Sequence, residues 1–163
     1  MRSFTTTDGQ SWAVRLDFGT IQTVKATCDL DMLDVAENGV ANTVNALQID
    51  IRKLVEVAYC VCEKQIIERG QEDTFHEIID AETLRNIRVA IMESWSDFFL
   101  QAGNPALADL LEQQQKTTTE MLQHTAERMR GMDFNQELKS SIDSMLSDLE
   151  KELKSPSGEQ PAL

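Results

Sequence analysis

Between Asn42 and Arg69 the chain has no proline or glycine, and Val44, Leu47, Ile51, Leu54, Val55, Ala58 and Cys62 recur at three- and four-residue steps. That spacing draws an apolar stripe along an α-helix. A helix this long commits the fold to helix-on-helix packing. Ile49, Val57, Tyr59 and Val61 widen the stripe, so this central helix is expected to be covered on more than one side and stopped by Gly70. The fold class that follows is mainly α with a small N-terminal β-hairpin (α+β), a helical core plus a C-terminal amphipathic helical hairpin.

The hairpin comes from Asp8-Gly9, flanked by short runs carrying Phe4, Trp12, Val14 and Leu16. Thr20 can cap a short helix with Ile21, Val24 and Cys28 at helical spacing, ending near Asp29. Residues Asp29 to Val35 alternate acidic and apolar side chains before Asn38-Gly39 and read equally as a short strand or a distorted helical turn. After a short segment with Phe75, Ile78 and Ile79, Asp80 can cap a helix with the face Leu84, Ile87, Ile91, Trp95 and Phe98, ended by Gly103. Aromatic residues at this spacing, Phe99 included, read as core.

Asn104-Pro105 signals a new helix start. Its apolar face is Leu107, Leu110, Leu111, Met121, Leu122 and Met129, with a polar middle at Gln113–Gln115 and Thr117–Thr119 where packing should be weakest. Gly131 breaks the pattern, and Asp133 with Gln136 forms a capping-box sequence before Phe134, Leu138, Ile142, Met145, Leu149 and Leu153. Glu150 and Lys154 suit an i to i+4 pair contributing about 0.3–0.5 kcal/mol, and Pro156 stops the helix. The expected organisation is a hairpin and helical core over residues 1–103, a helical extension over 104–155 and a mobile tail over 156–163.

Of 163 residues, 41% are hydrophobic and 26% charged, which suits a folded chain with room for a core. The net charge of -13 opposes attraction to nucleic-acid phosphates and anionic lipid surfaces. The acid excess reads as a solubilising surface, with DNA mimicry as the alternative. No run of about 18 uncharged apolar residues exists, and MRSFTTTDGQ lacks the layout of an export signal, so the chain is expected to stay where it is made. Cys28, Cys60 and Cys62 are odd in number, and helix positions two apart point to different sides. A disulfide framework is therefore not expected, in keeping with a reducing cytoplasm.

Few residues point to chemistry. His76 and His124 lie far apart and the Cys60/Cys62 pair has no second pair, so neither a metal site nor a cofactor is expected. No GxSxG elbow, phosphate-binding glycine loop or cysteine–histidine signature occurs. Glu72, Asp73, Glu77 and Asp80 form a carboxylate cluster with an ExxD step, but magnesium needs acids from more than one helix, and a solvated acidic face is the simpler reading. Met121, Met129, Met132 and Met145 fit either core or an adaptable binding surface.

The opening RSFTTTDGQSWAVRLDFGTIQTVKATCDLDMLDV resembles the start of a group of phage and prophage tail assembly chaperones and their relatives. An aromatic and a DG-type turn precede a Trp-bearing strand, then a helix, then the step Met32-Leu33-Asp34-Val35. Val55-Glu56-Val57-Ala58-Tyr59-Cys60-Val61-Cys62 is similar to the group's central helix, and Asp97-Phe98-Phe99 with Pro105 to a later aromatic step. The resemblance covers about the first 105 residues and carries no catalytic residues. It implies a factor, acting in the cytoplasm of the bacterial host, that keeps a tape-measure or tail-tube protein soluble during tail assembly.

The expected function is thus protein binding without catalysis. Leu107, Leu111, Met121, Leu122, Phe134, Leu138, Ile142 and Met145 are the candidate partner-binding residues, with a tape-measure or tail-tube protein as partner, no nucleic acid and no membrane. Self-association is possible through the same helices. Two alternatives stand beside it: a minor structural component of a virion, in tail or capsid, and a magnesium-dependent nucleotide hydrolase using Glu72, Glu77 and Asp80.

Overall fold

The computed structural model of the chain describes residues 2–34, 39–131 and 134–153, with side chains described throughout except at 134–138 and 149–153. The fold is mainly helical with a two-stranded N-terminal hairpin, in agreement with the sequence reading. Strands β1 (Arg2–Thr5) and β2 (Ser11–Val14) pair antiparallel with Phe4 opposite Trp12. In the connecting turn Gly9 takes φ of 80°, a conformation most side chains avoid.

Helix α1 (Phe18–Cys28) is capped by Asp17, not Thr20. Asp17 is extended, and its carboxylate accepts the Thr20 N–H at 2.9 Å, so Thr20 sits inside the first turn. Ile21, Val24 and Cys28 are buried, and the helix ends at Asp29 with φ of 52°. Of the segment left open between strand and helix, Asp29 to Asp34 is neither: it turns at Met32-Leu33 with Leu30 and Met32 buried, while Val35 lies outside the described residues.

The expected central helix is two helices, α2 (Gly39–Ile49) and α3 (Ile51–Arg69). Asp50 causes the division. Its backbone is extended, and its carboxylate accepts the N–H groups of Arg52 and Lys53 at 2.9 and 3.2 Å. An acid that caps stops one helix and starts the next. The break leaves Ile49 and Ile51 exposed instead of widening the buried stripe. Gly70 ends α3 in the left-handed region, its N–H donating to Ile67 O while the Gln71 N–H donates to Ile66 O.

A short 3-10 turn (Phe75–Ile78) leads to Asp80, which caps α4 (Ala81–Gln101) by accepting the Thr83 N–H at 2.7 Å. Ile87, Ile91, Trp95 and Phe99 are buried, and Leu84 and Phe98 are half-buried against them. Gly103, with φ of 75°, follows the end of α4. Helices α5 (Pro105–Gly131) and α6 (Phe134–Leu153) complete the chain. Met132 and Asp133, and with them the expected capping box, lie outside the described residues, as do Lys154 of the expected ion pair and the tail.

Side chains satisfy the backbone where the hairpin meets the helices. Gln65 on α3 accepts the Ala13 N–H at 3.0 Å and donates to Ala13 O at 2.8 Å, pairing β2 as a third strand would. Ser94 on α4 donates to Val14 O, and Trp95 donates its indole N–H to Met32 O at 3.0 Å. Arg2 meets Glu93 and Asp97 on α4.

The chain divides into two compact units, Met1–Met121 and Leu122–Leu163. The division falls within α5, whose Ala108, Leu111 and Thr118 are buried in the first unit.

Replacing Asp50 by alanine should cost about 1 kcal/mol in urea unfolding, while Asp73→Ala, on an exposed site, should stay within about 0.5 kcal/mol. Equal effects would refute the capping role. Hydrogen bonds from Thr20 to Asp17, from Thr83 to Asp80 and from Arg2 to Asp97 hold these carboxyls below the usual carboxylate range. Lowered folded-state values add stability above the unfolded pKa of about 3.9, and that stability disappears as pH falls through the folded values. The urea midpoint should therefore hold from pH 7 to about 5 and drop below about pH 4. In Asp80→Asn, which keeps the cap without the titration, the drop should be shallower.

Candidate partner-binding surface

Asn104 and Pro105 begin α5 as their order predicts, with Pro105 in the first turn and Asn104 Oδ1 accepting the Leu107 N–H at 3.4 Å. Residues 7, 11 and 18 positions apart share one helix face at 3.6 residues per turn. Leu111, Thr118, Leu122 and Met129 form such a face on α5. Leu111 is 1% exposed and Thr118 6%, but Leu122 is 40% and Met129 67% exposed. The same face is thus core at one end of the helix and open at the other.

This gradient divides the candidate residues. Leu111 belongs to the core of the first unit, and Leu107, partly buried, packs against that core. Met121 and Leu122 are exposed, as is every residue from Thr119 to Gly131. On α6, Ile142 is 48% and Met145 70% exposed, and each described side chain from Lys139 to Asp148 is exposed. Phe134 and Leu138 lie in α6, but their side chains fall outside the described residues.

Leu146 was absent from the candidates and is exposed beside Ile142 and Met145. Its signal was its position four residues after Ile142, one turn along the same side. Met129 likewise joins the exposed set. On the second unit, exposed apolar side chains thus stand on α5, at Leu122 and Met129, and on α6, at Ile142, Met145 and Leu146. Charged neighbours of both signs, Arg128, Arg130, Lys139 and Asp143, are interspersed along the same helices.

The polar middle of α5 is not its weakest part. The Thr118 hydroxyl donates to Asn45 Oδ1 on α2 at 2.8 Å, a part-buried bond that fastens the helix where the sequence predicts loose packing. The open stretch begins one residue later.

Other sites carry less. A groove of about 550 Å3 in the first unit is lined by Val14, Leu16, Phe18 and Phe98, and its acids and serine are engaged: Asp17 caps α1, Ser94 donates to Val14 O and Asp97 binds Arg2. Glu72, Asp73, Glu77 and Asp80 are exposed, and Asp80 is committed to its cap. Among the described residues no group of three or more metal-ligating side chains converges. His76 stacks on Tyr59, and His124 lies 3.8 Å from Glu127. No helix among the described residues is long and apolar enough to cross a membrane.

No protein-family model, curated protein or solved structure matches the chain.

The exposure gradient makes a direct prediction for stability. Leu111→Ala should cost about 2–5 kcal/mol in urea unfolding, as for a buried leucine. Ile142→Glu and Met145→Glu should each stay within about 0.5 kcal/mol of the native protein, as surface changes do. A large loss for either glutamate variant would show that these side chains are already buried in solution.

Proposed function

We propose that the chain is an assembly chaperone of the tail-assembly kind, which holds apolar helical stretches of a tape-measure or tail-tube protein on its C-terminal helices in the cytoplasm of a bacterial host. The observation that carries this reading is the exposure of apolar side chains on both C-terminal helices, Leu122 and Met129 on α5 and Ile142, Met145 and Leu146 on α6. Fully covering one such side chain contributes about 1.5–3 kcal/mol, so several covered together give a useful affinity for a helix laid along them. Methionines suit this work because an unbranched thioether adapts to different client surfaces.

Charge supports the same reading. A net charge of -13 keeps the chain and any complex dispersed while a client's apolar segments are held. The sequence resemblance to tail assembly chaperones over about the first 105 residues suggests the class of client: a long helical protein that must stay soluble until tube subunits enclose it. Binding, with no chemical step, is all this role requires.

Co-expression with a tape-measure protein is the test. The native chain should keep the client in the soluble fraction and co-purify with it, and a double variant Ile142→Glu/Met145→Glu should lose at least about tenfold in affinity while remaining folded by circular dichroism. Failure of the native chain to retain either a tape-measure or a tail-tube protein at low salt would overturn the proposal. So would full activity of the double variant.

A further inference from the structure

Helices α1 and α3 bring two thiols together that are distant in sequence. Cys28 is the last residue of α1, Cys60 lies midway along α3, and their sulfurs are 3.6 Å apart. Both are free and buried, Cys60 at 9% exposure and Cys28 at 1%. Cys62, two residues on, points elsewhere and approaches Ala13 O at 4.0 Å. We propose that Cys28 and Cys60 form an oxidant-sensitive pair that closes to a disulfide and staples α1 to α3 in the first unit.

The geometry is close to what the bond needs. Disulfide sulfurs stand about 2.05 Å apart, so closure asks for a movement of about 1.5 Å, within reach of side-chain rotation with a slight helix adjustment. Contact also sets the chemistry. Burial pushes the Cys28 thiol up to about 12, and a neutral, enclosed thiol is a poor nucleophile toward molecules in solution. Held against Cys60, the same group needs no diffusion to react, and proximity raises its effective concentration by orders of magnitude.

The exposure difference orders the steps. A hydroperoxide meets Cys60 first: the Cys60 sulfur attacks the peroxide, an S–O bond forms, the O–O bond breaks, and an alcohol or water leaves with Cys60 as sulfenic acid. The Cys28 sulfur then attacks the Cys60 sulfur, the S–O bond breaks, and the hydroxyl departs with the Cys28 proton as water. Two thiols are oxidised to one disulfide, and one hydroperoxide is reduced. Lys53, whose ammonium donates to Cys28 O, stands next to the reacting pair, but Glu56, bonded to that ammonium, more than offsets its effect on the Cys28 thiol.

The staple would close one loop from the end of α1 through α2 to the middle of α3. A cross-link across a loop of that length restricts the unfolded chain and should raise the thermal midpoint by about 10 °C. The device is independent of the client surface on α5 and α6, so the outcome leaves the proposed function untouched.

The experiment uses the full chain, treated with hydrogen peroxide and then alkylated. The expected product has lost two hydrogens, yields a Cys28–Cys60 cross-linked peptide, melts about 10 °C higher and returns to the starting state with dithiothreitol. Cys62→Ser should behave like the native chain. Cys28→Ser and Cys60→Ala should each lose the shift, and either suffices if the other does not fold. Peroxide giving only sulfinic acid at Cys60, only intermolecular dimers or no change would overturn the inference.

Discussion

The burial of Trp12 fixes the hairpin on the helices of the first unit. Two strands make a marginal sheet in water, so β1 and β2 persist only by burying one face against helices. Trp12 supplies that face: it is fully buried, meets Phe75 edge-on at 5.0 Å and has the Arg69 guanidinium 4.1 Å above its ring. Its indole N–H could not remain unpaired there. It donates to Thr6 Oγ1 at 2.9 Å, and Thr6 in turn donates to Asp8 Oδ1 at 2.6 Å in the Asp8-Gly9 turn. One side chain therefore links the turn, the strand and the end of α3.

The other contacts follow from that placement. With β2 laid on α3, Gln65 reaches the edge of the strand and replaces a missing neighbour, which removes the cost of an unpaired sheet edge in a part-buried setting. With β1 laid on α4, Arg2 reaches Glu93 and Asp97. These exposed ion pairs add little stability by themselves but fix the register of hairpin on helix. The hairpin works as a lid on the helical core, and its small size suffices because helices cover its buried face.

Much of this was legible in the sequence because each signal was local. The DG turn, the Gly70 stop, the Asp80 cap, the Asn104-Pro105 start and the apolar spacing of α1 and α4 depend on neighbours a few residues away. Errors arose where two local signals compete. Asp50 lies inside an apolar repeat that favours one long helix, yet aspartate bonds its own downstream N–H groups, and capping prevailed. Asp17 displaced Thr20 for the same reason. Nothing local marks Thr118 as an anchor, since its partner Asn45 is 73 residues away, and nothing local joins Cys28 to Cys60.

The candidate surface shows the same limit in another form. Sequence periodicity states that a helix has an apolar side but not how much of that side the rest of the chain covers. On α5 the face resumes its apolar character at Leu122 and Met129 after the polar middle around Thr118, while burial falls from nearly complete at Leu111 to slight at Met129. Leu107 and Leu111 could not be separated from Leu122 and Met129 by spacing, because all four obey it. What separates them is supply: core side chains of the first unit reach Leu111, and the Thr118–Asn45 bond marks the last buried point on the helix. Beyond it, a helix that kept its apolar side through further turns has retained surface that its own exposed residues do not use. Retaining such surface costs solubility, and an acid excess of 28 to 15 offsets that cost without covering the face. A chain built only to fold would lose nothing by making Met129, Ile142, Met145 and Leu146 polar. Their apolar character is therefore surface that the packing of the described residues leaves open.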